Sequence, residues 1–176
     1  PTRRSSDLTA WEDSKPIYHE GRRLAAELVN SRPEQIAWVQ NTSHGISQIA
    51  NGLNWRPGDN VIVPDREFPS NYFAWKQLDR LGVELRHIPS VDNKTLPAEV
   101  AKLIDKKTRV VALSHVQYYN GYQCDIGSIG KICHQYGALL VVDGTQSIGA
   151  ITLDVSTCHV DVLVVSAHKW MMGPLG

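Results

Sequence analysis

Residues 138–146 read Ala-Leu-Leu-Val-Val-Asp-Gly-Thr-Gln, five apolar residues followed by an acid and turn-forming residues. An unbroken apolar run of this length, rich in aliphatic side chains, is typical of a strand buried on both faces. Strands of that kind belong to parallel sheets, whose ligands bind beyond the carboxyl ends of the strands. Asp143 is therefore predicted to lie at the edge of a sheet where a ligand binds.

The rest of the chain alternates between short apolar runs and longer amphipathic stretches. The predicted strands are residues 36–39, 61–63, 83–88, 109–113, 138–142 and 160–165. The predicted helices are residues 17–29, 43–53, 71–81, 98–104 and 126–136. This alternation predicts an α/β fold with a mostly parallel central sheet covered by helices on both faces.

The composition is that of an ordinary globular domain. Of the 176 residues, 42% are hydrophobic and 20% charged, and the formal net charge is zero. This balance favours neither nucleic acid nor an anionic membrane as a partner. No apolar run is long enough to span a bilayer and no signal peptide opens the chain, so the cytoplasm is the expected compartment. The three cysteines, Cys124, Cys133 and Cys158, have no C-x-x-C spacing and predict neither a disulfide framework nor a metal site.

The ends of the chain lead to expectations about its domain organisation. The polar opening, residues 1–16, is expected to be partly disordered, and residues 17–176 to form one domain. The chain begins at Pro1 without an initiator Met and stops at Gly176, shortly after its most distinctive motif. We therefore expect it to be a piece of a longer protein.

Hydroxyl groups cluster at the predicted start of one helix, in Asn41-Thr42-Ser43-His44-Gly45. Free N–H groups and hydroxyls at a helix N-terminus form an anion site. The alternative is that Thr42 or Ser43 only caps the helix.

Asp143 and Gln146 form a second polar group. A carboxylate at the end of a buried strand must meet a cation or several donors, because an unpaired buried charge is very unfavourable. A pyridinium nitrogen, a metal ion or a lysine would serve, and Gln146 can reach the same ligand from the following turn.

The third group is Ser166-Ala167-His168-Lys169, directly after an apolar strand. A desolvated lysine can form an imine with a carbonyl compound. The alternative is a lysine whose stem lies along the strand end while its ammonium reaches solvent.

In this order, the hydroxyl-rich helix start, V-D-G-x-Q and S-x-H-K followed by G-P-x-G resemble the class V aminotransferases. That group includes cysteine desulfurases, kynureninases and related lyases. The resemblance extends from about Glu20 onward and is most specific between Asp143 and Lys169. It implies the large domain of a fold type I transferase, lacking its C-terminal domain here, with pyridoxal 5'-phosphate as cofactor. It also implies an amino-acid substrate and a homodimer.

The resemblance assigns a role to each matched residue. Lys169 would hold the cofactor as a Schiff base and move protons at the α-carbon of the substrate. Asp143 would pair with the pyridine nitrogen, Gln146 would hydrogen-bond the phenolic oxygen, and Phe68 would stack on the ring. The phosphate would be bound by Thr42, Ser43, Ser166 and His168.

Several positions depart from the pattern of cysteine desulfurases. Many of those enzymes have His where this chain has Phe68, and Asn in the segment where it has Gln117 and Tyr118. Their sulfur-accepting cysteine and carboxylate-binding arginine fall beyond Gly176. The sequence therefore leaves transamination, desulfuration and other lyase reactions open.

His115 and Tyr118 follow the predicted strand 109–113 and are candidates for the substrate side of the pocket. His115 is predicted as a third catalytic residue beside Lys169 and Asp143. The alternative, a structural histidine with satisfied hydrogen bonds, has equal weight at this point.

Two other classes of protein share the α/β pattern. A dinucleotide-binding oxidoreductase needs G-x-G-x-x-G after a strand, and neither this motif nor a P-loop is present. A non-catalytic ligand-binding module would not explain why Asp143 and Lys169 are present. By itself the 176-residue chain is expected to bind cofactor poorly and to show no sustained catalysis.

Overall fold

The computed structural model describes residues 3–174, with side chains described at residue 12 and from residue 14 onward. The helices are α1 Arg3–Val29, α2 Thr42–Gly52, α3 Pro69–Lys76, α4 Pro97–Leu103 and α5 Ile126–Tyr136. The strands are β1 Asn60–Pro64, β2 Glu84–Ile88, β3 Thr108–Ser114, β4 Leu139–Asp143 and β5 Val162–Val164. In this described part, no helix is both long enough and apolar enough to cross a membrane.

The chain separates into two compact units, with the division after Trp38. The first contains α1 and a short 3-10 turn, Pro33–Gln35. Helix α1 begins at Arg3 rather than near residue 17, and residues 1 and 2 lie outside the described residues. The partial disorder expected of residues 1–16 stays a prediction. The assignment of residues 17–176 to a single domain stays a prediction.

The second unit is built on a fully parallel sheet in the order β2-β1-β3-β4-β5. The chain passes from β1 outward to β2 and then crosses back to β3 on the other side of β1. All carboxyl ends lie at one edge because every strand runs the same way. In such sheets, ligands bind where the direction of winding reverses, here between β1 and β3.

Helices cover both faces of this sheet, as the sequence predicts. Helices α2 and α3 pack on one face over a core made of Ile46, Ala50, Val61, Val63, Ala74, Trp75, Leu78, Val110, Ala112, Val141 and Val164. The alternate strand residues are also buried and point the other way, toward α4 and α5: Ile62, Val111, Leu113, Leu140 and Val142. The change of face follows from right-handed crossovers, because α3 and α4 connect strands in opposite directions along the sheet. The predicted fold class is confirmed.

One predicted strand is wrong and another is shorter than expected. The backbone is extended at Ile36, but residues 36–39 form no β-ladder with any described strand. Because a β-strand is defined by hydrogen bonds to a neighbouring strand, this segment is not one. Strand β5 spans Val162–Val164, is only partly buried and forms an edge of the described sheet. It is therefore not the central strand that the apolar run 160–165 suggests.

The long connection between β4 and β5 lies directly on helix α5. A Cβ atom at Gly130 would fall far inside van der Waals contact with the backbone carbonyl oxygen of Cys158. Only glycine allows the helix and this backbone to approach so closely. The contact fixes the path of the chain on its way to β5 and to the residues that follow it.

Replacing Gly130 by alanine should therefore destabilise the fold, although Gly→Ala inside a helix ordinarily stabilises by about 1 kcal/mol. The added methyl must displace the backbone at Cys158, which should lower the free energy of unfolding by about 1–3 kcal/mol. Urea denaturation followed by circular dichroism measures the change.

Gly127→Ala on the same helix is the matched control, because the nearest atoms to a Cβ there lie at 3.7 and 3.9 Å. That variant should be as stable as the wild type or more so. A Gly130→Ala protein that is more stable than the wild type would contradict the close approach.

Candidate active site

A cavity of about 300 Å³ opens at the carboxyl edge of the sheet. It is lined by Asn41, Thr42, Ser43, Phe68, Ser70, Ser114, Tyr118, Asp143, Thr145, Gln146, Ser166, His168 and Lys169. Every site residue predicted from the sequence is in this set except His115. The topology accounts for most of the gathering, because the segments after β1, β3, β4 and β5 all leave the sheet at this edge. The start of α2 precedes β1 and is connected to them by the hydrogen bonds of Thr42 with Thr145 and Ser166.

Asp143 is the most buried charged group of the cavity wall, with 5% of its surface exposed. Its Oδ1 accepts a hydrogen bond from the Thr145 N–H at 2.9 Å, and its backbone oxygen accepts one from the His115 N–H at 2.9 Å. Burial raises the pKa of Asp143 above its ordinary value, while hydrogen bonds from Thr145 and the positive charge of Lys169 oppose the rise. The carboxylate is thus short of cationic partners and suited to a positively charged ligand atom.

The start of α2 keeps its hydroxyl groups free for other partners. Asn41 caps the helix, since its Oδ1 accepts the His44 N–H at 2.9 Å. The alternative that Thr42 or Ser43 serves as the cap is therefore wrong. The Ser43 hydroxyl instead bonds the Ser70 hydroxyl at 2.8 Å, and the first turn of α2 has no acidic residue. Both features suit an anion at this helix end.

Thr145 joins three parts of the site and was not singled out from the sequence. Its Oγ1 accepts the Ser166 N–H at 3.0 Å and lies 3.3 Å from the Thr42 hydroxyl. Thr42 also hydrogen-bonds the hydroxyl of Ser166. This network connects the start of α2, the turn after β4 and the turn after β5. The only sequence signal was the position of Thr145 inside the D-G-T-Q motif.

Lys169 lies in a turn five residues beyond the end of β5. The turn is closed by hydrogen bonds from the Met172 N–H to the Lys169 carbonyl at 3.1 Å and from the Gly173 N–H to the Ala167 carbonyl at 2.9 Å. Lys169 and His168 are both exposed. The expectation of a desolvated lysine is therefore not met, because β5 lies at an edge of the described sheet and leaves this side of the cavity open.

Two aromatic side chains form one wall of the cavity. Phe68 precedes α3, and Tyr118 follows β3. Their ring centroids are 5.3 Å apart, with the rings nearly perpendicular. Both remain partly exposed, at 39% and 47% of their surface, so their faces are accessible to a planar ligand.

His115 is not brought into the cavity. Its side chain is buried beneath the site, where Nδ1 lies 2.9 Å from the Ser147 hydroxyl and Nε2 lies 3.3 Å from the Gln123 amide. Burial lowers the pKa of His115, which favours a neutral imidazole. Side chains alternate along β3 and its extension, so Ser114 points into the cavity and His115 points away. These surroundings match the structural alternative rather than a catalytic role.

The cysteines are not part of the cavity. Cys124 and Cys133 are buried, and burial raises the pKa of each thiol to about 12. Since the thiolate is the reactive form, both are poor nucleophiles near neutral pH. Cys158 is partly buried beside α5.

Comparison with known proteins gives a consistent result. A family profile described as "Aminotransferase class-V" matches residues 2–176. A probable cysteine desulfurase of Methanothermobacter thermautotrophicus is 35% identical over 158 residues, covering 89% of this chain and 40% of that protein. A cysteine desulfurase of Shigella sonnei is 37% identical over 161 residues, covering 88% and 39% of the two chains. This chain thus spans about two-fifths of the length of these relatives.

Solved structures share the fold. The apo cysteine desulfurase of Thermococcus onnurineus NA1 superposes with a TM-score of 0.87 at 30% identity, covering 93% of this chain and 42% of that one. The cystine C-S lyase C-DES, solved with its product cysteine persulfide, gives a TM-score of 0.88 at 29% identity, covering 96% and 46%. A variant of C-DES was solved with glycine covalently linked to its PLP cofactor.

The family profile covers nearly all of the sequence, the sheet matches those of solved members, and the motifs that suggested the resemblance lie together in one cavity. This chain therefore belongs to the class V aminotransferase and cysteine desulfurase family.

Proposed function

We propose that this chain is the cofactor-binding part of an enzyme that uses pyridoxal 5'-phosphate to act on an amino acid. The observation that carries the proposal is the gathering of Asp143, Lys169 and the hydroxyl-lined start of α2 around one cavity. These groups come from three separate segments of the sequence, at the start of α2, at the end of β4 and in the turn after β5.

The donor set at one side of the cavity fits a phosphate group. Donors there are the side chains of Thr42, Ser43, Ser166 and His168, beside the N-terminus of α2. Hydroxyl and imidazole groups bind phosphate by hydrogen bonds, and the helix end adds unpaired N–H groups and a favourable dipole. We assign these residues to the cofactor's phosphate.

The remaining lining residues fit a protonated pyridine ring. Asp143 supplies a buried carboxylate that forms no ion pair with a described residue, and a pyridinium would be its cationic partner. Phe68 offers an accessible aromatic face for stacking, and Gln146 offers an amide for the ring substituents.

When bound, pyridoxal phosphate supplies an aldehyde that reacts with amines and a cationic ring that withdraws electrons. Lys169 provides the amine, and its Nζ would also take a proton from the α-carbon of the substrate or return one to it. Asp143 would keep the ring nitrogen protonated through its negative charge. Thr145 fixes the positions of Asp143 and Ser166 relative to each other, since its N–H donates to Asp143 and its hydroxyl oxygen accepts the Ser166 N–H.

The proposed reaction type is supported by the same site and by the similar proteins. Proton movement at the α-carbon is common to transamination and to lyase reactions that release a side-chain group. The relatives named as cysteine desulfurases and the cystine C-S lyase favour C–S bond chemistry on a sulfur-containing amino acid. Cys124 and Cys133 are unsuited to receive the sulfur, because burial keeps them as thiols.

Lys169 is expected to be the residue that bonds the cofactor covalently. Borohydride reduction of the protein with pyridoxal phosphate should add the cofactor's mass to the peptide that contains Lys169. Lys169→Ala should abolish that label while still binding the cofactor non-covalently. Peptide mass spectrometry and visible absorbance measure the two effects.

Lys131→Ala is the matched control, since this lysine is exposed on α5 and does not line the cavity. It should leave the label on Lys169 unchanged. Reduction that labels a different lysine in the wild-type protein would overturn the assignment.

Asp143→Asn tests the second assignment, because it removes the negative charge with little change of shape. In the full-length protein with the cofactor fully bound, turnover of amino acids should fall by a factor that corresponds to about 3–6 kcal/mol of barrier, as expected for the loss of a preorganised electrostatic group. Steady-state kinetics on a panel of amino acids measures the loss.

The control is Asp125→Asn, in which asparagine should cap α5 as aspartate does, so that turnover stays unchanged. Equal turnover by Asp143→Asn and the wild type would sink the proposed role of Asp143.

A further inference from the structure

Glu67 lies directly behind the aromatic wall of the cavity and has no part in the chemistry described above. It is 7% exposed and follows β1 by a short turn. In the described part of the chain, no lysine or arginine forms an ion pair with it. A buried carboxylate without a cation is unfavourable unless hydrogen-bond donors surround it.

Four donors meet this carboxylate. Oε1 accepts the Phe68 N–H at 2.7 Å and the Ser114 hydroxyl at 2.5 Å. Oε2 accepts the Ser114 N–H at 2.8 Å and the Gln117 side-chain amide at 3.2 Å. Burial raises the pKa of Glu67, and these hydrogen bonds oppose the rise.

The four hydrogen bonds join two segments that carry the cavity wall. One segment follows β1 and includes Phe68, whose backbone N–H donates to Glu67. The other follows β3, where Ser114 lines the cavity and Gln117 immediately precedes Tyr118. The edge-to-face contact of Phe68 with Tyr118 lies across the junction that Glu67 closes.

Nothing local in the sequence requires this junction, because Glu67 and Ser114 are 47 residues apart. A pair of apolar side chains would also join the two segments, without the desolvation of a charge. A carboxylate differs in that its two oxygens fix the directions of four donors at once.

We propose that Glu67 is a positioning residue that holds Phe68 in place for stacking on the cofactor ring. This rests on the proposed function, since the planar ligand of the cavity is taken to be pyridoxal phosphate. Glu67 acts through the N–H of Phe68 on one side and through Ser114 and Gln117 on the other. The ring of Phe68 is thereby preorganised before the ligand binds.

Glu67→Gln is the informative variant because it keeps the shape of the side chain. An amide places an NH₂ group where one oxygen now accepts two hydrogen bonds, so at least one backbone N–H of Phe68 or Ser114 loses its acceptor. In the full-length protein, the dissociation constant for pyridoxal phosphate should rise about tenfold, roughly 1.4 kcal/mol. Titration followed by protein fluorescence measures it without any turnover.

A double-mutant cycle with Phe68→Ala separates positioning from general stability. If Glu67 acts through Phe68, the double variant should bind pyridoxal phosphate as weakly as Phe68→Ala alone. Thr108→Val at the opposite end of β3 is the control, because it removes buried hydrogen bonds to Asn60 and Asp105 far along the strand. It should lower the melting temperature and leave the dissociation constant unchanged.

A second readout is independent of any ligand. The chain has two phenylalanines, Phe68 and Phe73, so labelling with 4-fluorophenylalanine gives two fluorine NMR signals. Glu67→Gln should shift or broaden the Phe68 signal. The signal of Phe73, which is 64% exposed on α3, should stay where it is.

The outcomes are distinguishable. The inference is supported if Glu67→Gln shifts or broadens the Phe68 fluorine signal, raises the dissociation constant and is non-additive with Phe68→Ala in the double-mutant cycle. An unchanged Phe68 signal, an unchanged dissociation constant or fully additive effects would overturn it. A full-length wild-type protein that does not bind pyridoxal phosphate would instead refute the proposed function, and this inference with it.

Discussion

The site depends on one constraint, the burial at the end of β4 of the Asp143 carboxylate, which forms no ion pair with any described residue. The carboxylate is held by the backbone of the next turn and by its neighbours rather than by an ion pair of its own. A buried carboxylate of this kind is unfavourable by itself and is stabilised by a neighbouring cation. The rest of the cavity is arranged around this unmet charge, with Lys169 close enough to influence its pKa.

The parallel sheet makes that arrangement possible. Because all strands end at one edge, Asp143 at the end of β4 and Lys169 beyond β5 reach the same cavity, and the hydrogen bonds of Thr42 connect the start of α2 to them. Thr145 then connects the acid to the hydroxyls, and Glu67 connects the segments after β1 and β3. Both are buried polar residues that bind several partners, which gives the cavity defined walls although it remains open on the side of Lys169.

Much of this could be predicted from the sequence, because strand ends in a parallel sheet share one edge. That rule placed Asp143 and Ser166 in one site from the motifs alone. It failed at His115, where the alternation of side chains after β3 turns a neighbour of Ser114 away from the cavity. It could not identify Glu67, whose hydrogen-bond partners are distant in the sequence. The strand predicted at residues 36–39 was wrong because no local sequence pattern specifies which strands pair.

The protonation state of a bound cofactor tests the central claim most directly. Pyridoxal phosphate labelled with ¹⁵N in its ring can be added to the protein and observed by nitrogen NMR near neutral pH. The account predicts a chemical shift typical of a protonated pyridinium in the wild-type protein, and one typical of a neutral pyridine in Asp143→Asn. A neutral ring nitrogen in the wild-type complex would contradict it.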